Sequence, residues 1–248
     1  MNTLKDKIRN ILIVLFFLTG IPFLRFLLLK KKYKSLVRVI VFHQIRDEQT
    51  KDFERKISFL KNNFNIISPQ DFLNKNFSED KLNILLTFDD AFKDWFKNVV
   101  PVLKKEKISA IFFLDKRGFN FAKKLSEMGF EIGSHTINHL RLPGLSLEKL
   151  REELKESKEI LEKEIGKEIK FFAYPFGDKD SFNRVVKEEV EKAGYKYAFT
   201  ILPGFNTKGT DFYCLHRDGL NVSWSNFFFC VWLLGSYDIL KKVLNWLY

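Results

Sequence analysis

From residue 36 onward the chain alternates short apolar blocks with longer amphipathic ones, which limits its fold more than any other feature. Strand-like blocks rich in β-branched and aromatic residues fall at 36–45, 64–67, 82–88, 110–114, 130–132, 169–174, 197–201 and 212–215. Helix-like blocks lie between them near 51–62, 92–105, 120–128, 146–165 and 181–193. In the 146–165 block Ser146 is placed to cap the start and Gly166 to end it, while Leu147, Leu150, Leu154, Leu161 and Ile165 mark one face. Its many Lys and Glu residues read as a solvated face. Strands alternating with helices imply an α/β fold with a parallel sheet, open or closed into a barrel. In such folds functional groups collect at the C-terminal ends of the strands. The 248 residues suffice for one such domain with short appendages. The 28 Phe residues read as core and membrane contact before ligand stacking.

The appendages give three segments: 1–34, a membrane anchor and its basic flank; 35–222, the catalytic domain; and 223–248, a C-terminal amphipathic helix. Residues 11–29 are apolar apart from Thr19, Gly20, Pro22 and Arg25. A spanning helix needs roughly 20 apolar residues, so a single uncleaved N-terminal anchor is expected, although Pro22 also permits a kinked re-entrant or interfacial helix. The formal charge of +11 suits an acidic partner. Much of that excess, Lys30, Lys31, Lys32, Lys34 and Arg38, directly follows the apolar stretch. An anionic membrane is therefore preferred to nucleic acid, for which the chain has no recognisable motif. This flank outweighs Lys5, Lys7 and Arg9 and favours a cytoplasmic catalytic domain by the positive-inside rule, but the side is left open. Near the C-terminus, 227–234 is continuously apolar but too short to span. Ile239, Leu240, Val243, Leu244 and Leu247 then recur at helical spacing, with Trp246 and Tyr248 at the tip and Asp238, Lys241 and Lys242 on the remaining face. This suits either a helix lying in a membrane interface or a terminal helix packed on the core. Cys214 and Cys230 form no CxxC and suggest no disulfide framework.

Three motifs carry chemistry. The apolar block 82–88 stops at Asp89-Asp90, two carboxylates that are costly to place together unless something positive is near. A helix beginning at Ala91 would compensate, so a capping pair is the plain alternative. His135 and His139 stand four apart after Gly133, which lets the backbone turn sharply; on a helical turn both imidazoles would share a face and grip one metal ion. Two unrelated surface histidines would give the same spacing. Pro175 and Gly177 bracket Phe176 in a turn that either presents a backbone N–H to a developing oxyanion or merely links strand to loop. The chain has only four histidines, and His43 and His216 also fall at expected strand ends.

Thr-Phe-Asp-Asp at 87–90, Gly-Ser-His-Thr-Ile-Asn-His at 133–139 and Phe-Ala-Tyr-Pro-Phe-Gly at 172–177 together resemble the polysaccharide deacetylase (NodB homology) family. The resemblance runs over about 36–217, and Phe42-His43-Gln44-Ile45 looks like the branch acting on poly-N-acetylglucosamine. It implies a distorted (β/α) barrel of about seven strands. It also implies that Asp90, His135 and His139 ligate a divalent metal, zinc most readily with cobalt or nickel as alternatives, and that Asp89 is the general base. One carboxylate and two imidazoles leave positions for water and a substrate carbonyl. The departing amine calls for an acid, His43 first and His216 second, while Arg217 is placed to pair with Asp89. The sequence departs from the family pattern in three places: Ala91 follows the Asp pair where Gly is usual, Ala173 stands where an Arg is often found, and the stretch between Leu114 and Phe121 is short. The expected activity is removal of N-acetyl groups from amino sugars of a polysaccharide or lipid-linked saccharide at a membrane. A catalytically inactive glycan-binding or scaffold relative is the alternative.

Overall fold

The computed structural model describes the backbone from residue 4 to 247 and side chains from 6 to 241. Its centre is one sheet of β1 (Val37–Phe42), β2 (Asn65–Ile66), β3 (Asn83–Asp89), β4 (Ile111–Leu114), β5 (Glu131–Ser134), β6 (Phe171–Ala173), β7 (Tyr197–Phe199) and β8 (Asp218–Gly219). The strands run in the order β7-β6-β5-β4-β3-β1-β8, with β2 beside β3, and every registered pair is parallel. The sheet curls into a half-barrel. Leu215 bridges to Phe199 of β7, while Asp218 and Gly219 pair with Ile40 and Val41 of β1, so segment 215–219 links the two ends of the path. The parallel α/β expectation holds. The strand expected at 212–215 does not form: those residues turn, Leu215 makes a single bridge, and the ladder begins at Asp218. His216 therefore precedes a strand instead of ending one.

The strand pleat decides which side chains reach the interior. Val37 and Val39 of β1, Leu85 of β3, Ile111 and Phe113 of β4, Phe171 of β6 and Phe199 of β7 fill the inside of the half-barrel. Their neighbours in sequence, among them Ile40, Leu86, Phe112 and Phe172, face the helical layer. Because the side-chain period is two, Asp89 shares the inward row with Leu85 and Thr87. The apolar plug thus continues into chemistry at the strand ends. Gly133 serves packing instead of a turn: a Cβ there would lie 2.4 Å from the Phe113 ring.

The surrounding helices include Thr50–Asn63, Leu147–Ile165 and Arg184–Lys192. Ser146 caps the second by accepting from Lys149 N, and Gly166 ends it at φ 67 as expected. The helix expected over 92–105 is broken into Trp95–Asn98 and Val100–Glu106. Pro101, at the start of the second piece, lacks the N–H that a continuous helix would need.

The N-terminal segment differs from a simple anchor. No single described helix is long and apolar enough to cross a membrane. Asp6–Leu18 and Ile21–Tyr33 meet that requirement only as a pair, bent by 65°. Gly20 at φ 76 and Pro22 just beyond it set the break. The C-terminal helices are Asn226–Leu233 and Ser236–Leu247. The first buries Phe228, Phe229, Val231, Trp232 and Leu233 in the main core. Asp238, expected on a polar face, is instead buried against Arg38 of β1, accepting from Nη2 at 3.0 and 2.9 Å. Arg38 also reaches Asp218 at 3.0 Å, and Arg25 reaches Asp238 at 3.2 Å. The face expected from Lys242, Val243, Leu244 and Leu247, with Trp246 and Tyr248, lies outside the described residues.

Candidate metal centre

Asp90, His135 and His139 bring one donor atom each to within 4.8 Å of one another, the one such trio among the described residues. Asp90 Oδ1 is 3.6 Å from His135 Nε2 and 3.2 Å from His139 Nε2. No helix begins at Ala91, so the aspartates are not a capping pair. Asp90 and Ala91 take φ 82 and 59, left-handed values that cost about 1–3 kcal/mol each in a non-glycine residue. Ala91 fits because of Gly118, where an added Cβ would lie 2.1 Å from the Ala91 methyl.

The histidine pair is not on a helical turn either. Thr136 and His139 have φ 66 and 54, and residues 135–139 form a loop. Its anchor is Glu153, a fully buried residue of helix Leu147–Ile165. Its Oε2 accepts from Ile137 N at 3.0 Å and Asn138 N at 2.9 Å, while Thr136 Oγ1 accepts from His139 N at 3.1 Å. His135 Nδ1 sits 2.7 Å from the Ala173 carbonyl oxygen, which makes Nδ1 the protonated nitrogen and leaves the Nε2 lone pair, on the Asp90 side, free to ligate a metal ion. The reading of the helix charges as purely solvated missed Glu153.

Asp89 is buried and gripped by Arg217, whose Nη1 and Nη2 donate to the two carboxylate oxygens at 2.7 Å each. Arg217 also donates to Thr87 Oγ1 at 3.2 Å and Thr200 O at 2.9 Å, and its guanidinium lies 5.2 Å from the Phe113 ring centre. Burial alone would raise the Asp89 pKa, but Arg217 and His135 hold it below the usual range. Asp90, also partly desolvated, is brought down to about 2 by the hydrogen bond with His139 and the surrounding imidazoles. Burial lowers His135, whereas the hydrogen bond to Asp90 raises His139.

His43 follows β1 with its Nε2 4.0 Å from Asp90 Oδ2, and its carbonyl accepts from Trp95 Nε1 at 2.9 Å. His216 is held by its backbone, which exchanges hydrogen bonds with Asn206 at 2.9 Å, and its ring packs on Gly204. Phe176 adopts φ 63 and lays its half-exposed ring 4.9 Å from the His139 ring. The short stretch after β4 contributes a residue that sequence reasoning missed. Arg117, clamped by the buried Asp115, reaches Asp90 Oδ1 at 3.4 Å. A cleft of about 300 Å³ lined by His43, Gln44, Leu220 and Trp224 opens beside the site.

Fold and site together define an α/β half-barrel with a candidate metal centre at its strand ends. Residues 78–198 match the family model described as polysaccharide deacetylase, and the match includes the three motifs at 87–90, 133–139 and 172–177. It is 26% identical to YxkH of Bacillus subtilis, covering 76% of this chain and 73% of that protein. It is 27% identical to the poly-β-1,6-N-acetyl-D-glucosamine N-deacetylase of Staphylococcus aureus, covering 66% of this chain and 64% of that one. The crystal structure of a polysaccharide deacetylase from Bacillus cereus superposes with a TM-score of 0.68 at 28% identity, covering 80% of this chain and 69% of that one.

Proposed function

We propose that the chain is a metal-dependent hydrolase that removes N-acetyl groups from the amino sugars of a polysaccharide or lipid-linked saccharide at a membrane surface. The observation that carries this reading is the convergence of Asp90, His135 and His139 beside a second carboxylate, Asp89, held ionised by Arg217. One carboxylate and two imidazole nitrogens suit zinc, cobalt or nickel. When bound, the ion supplies Lewis acidity to a water and an amide carbonyl. Asp89 accepts the proton of the attacking water. The Phe176 N–H faces the developing oxyanion, and His43, the imidazole beside Asp90, donates a proton to the departing amine. The named activity of the Staphylococcus aureus relative supports a poly-N-acetylglucosamine-type substrate. The segment division at 34 and 222 belongs to the same reading, with 35–222 as the catalytic part.

Acetate release from N-acetylated glucosamine polymers tests the proposal. Purified full-length protein releases acetate, a chelator stops it, and zinc or cobalt restores it. Acetate release that persists in metal-free protein, or none from any N-acetylated sugar with metal bound, overturns it. The second outcome would favour an inactive glycan-binding relative.

A further inference from the structure

The bent helix pair Leu4–Leu18 and Ile21–Tyr33 has two unlike sides. Ile11, Leu15 and Leu18 on the first helix and Ile21, Leu24 and Leu28 on the second recur at spacings of three and four, and each is more than half exposed. The other side is built into the protein. Ile13 is fully buried, the Phe17 ring meets Phe227 at 6.2 Å, and the Phe26 ring meets Phe205 at 5.9 Å. Arg25 ties the second helix to Asp238, which is bound in turn to the fully buried Arg38 of β1. Straightening the pair would tear Ile13 and Arg25 from these partners. Each arm, at roughly 20 Å, is also shorter than a hydrocarbon core of about 30 Å. Lys7 lies near one end of the pair, and the exposed Lys31, Lys32 and Lys34 near the other, where they complement anionic headgroups.

We propose that this pair is a single-leaflet dock: its outer apolar face lies in the boundary between headgroups and acyl chains of an anionic bilayer without crossing it. Its inner face is part of the catalytic body. The proposal rests on the membrane part of the proposed function and not on its chemistry. The dock therefore holds the enzyme rigidly on the surface, where a lone spanning helix would tether it loosely.

Flotation of the full-length protein with vesicles of phosphatidylcholine, with and without phosphatidylglycerol, tests the partner. The protein floats with the anionic vesicles, and the Leu15→Asp/Leu24→Asp double variant loses at least tenfold in bound fraction with unchanged melting and acetate release. Absence of flotation, or a concentration-dependent dimer formed in its place, overturns the membrane partner while leaving the chemistry standing. A double variant that floats as well as the parent overturns the assignment of the face. Sidedness is read in a Cys214→Ser/Cys230→Ser background carrying Lys7→Cys or Lys34→Cys, using right-side-out and inside-out vesicles from expressing cells. An impermeant maleimide labels both positions in the same preparation and neither in the other. Labelling of the two positions in opposite preparations means a crossing helix and overturns the dock.

Discussion

Arg217 meets Asp89 through two parallel N–H···O bonds of 2.7 Å, with both side chains removed from solvent. A bidentate guanidinium fixes the carboxylate in orientation as well as charge. It does so from the segment linking β7 to β1. Arg217→Gln is expected to lower kcat by about 100-fold, on the scale of one acid–base catalyst, with zinc content unchanged. Loss of metal with retained turnover per bound ion would assign Arg217 to the metal site instead.

Glu153 touches no metal donor, yet it holds the backbone between His135 and His139. Partners that orient metal ligands typically contribute 10–100-fold in affinity, so Glu153→Gln should weaken zinc binding by about that factor. Titration with a competing chelator measures this. An unchanged affinity would make Glu153 a packing residue only.

Arg38 is wholly buried between Asp218 and Asp238. Breaking a buried ion pair by deleting one partner costs about 3–5 kcal/mol because the other charge is stranded. Asp238→Ala should therefore lower unfolding stability by that order in urea and loosen the C-terminal helices. A change below about 1 kcal/mol would mean that Asp218 alone satisfies Arg38.

Gly118 leaves the space that the Ala91 methyl fills. Gly118→Ala should destabilise the Asp90–Ala91 turn and cut activity, and adding Ala91→Gly should restore most of it. Failure of the double variant to recover would show that Gly118 acts through something other than this contact.

The chemistry of the site was more legible in the sequence than its mechanical support. Asp89 ends the inward row of β3 because the period-two pleat carries it there from Leu85 through Thr87; Asp90 follows it in the chain, His135 and His139 lie in the loop after β5, and the apolar blocks announce both strands. The local backbone was misjudged. Four-residue spacing suggested a helical turn, whereas Thr136 and His139 adopt left-handed conformations stabilised by a distant glutamate. Glu153 could have been found by helical phase: it lies three residues after Leu150 and four before Ser157, both buried, on the stripe that also carries Leu154 and Leu161. Arg117 and Asp238 carried no such local signal, because their partners Asp90 and Arg38 are brought to them only by tertiary folding. The break at Gly20 was foreshadowed by Pro22, but hydropathy alone favoured one continuous span.

Anomalous scattering at the zinc edge from zinc-loaded crystals tests the central claim most directly. The account predicts one strong peak about 2.0–2.2 Å from Asp90 oxygen and from Nε2 of both His135 and His139. Full acetate-releasing activity in crystals or solution with zinc bound elsewhere, and nothing between these three side chains, would contradict it.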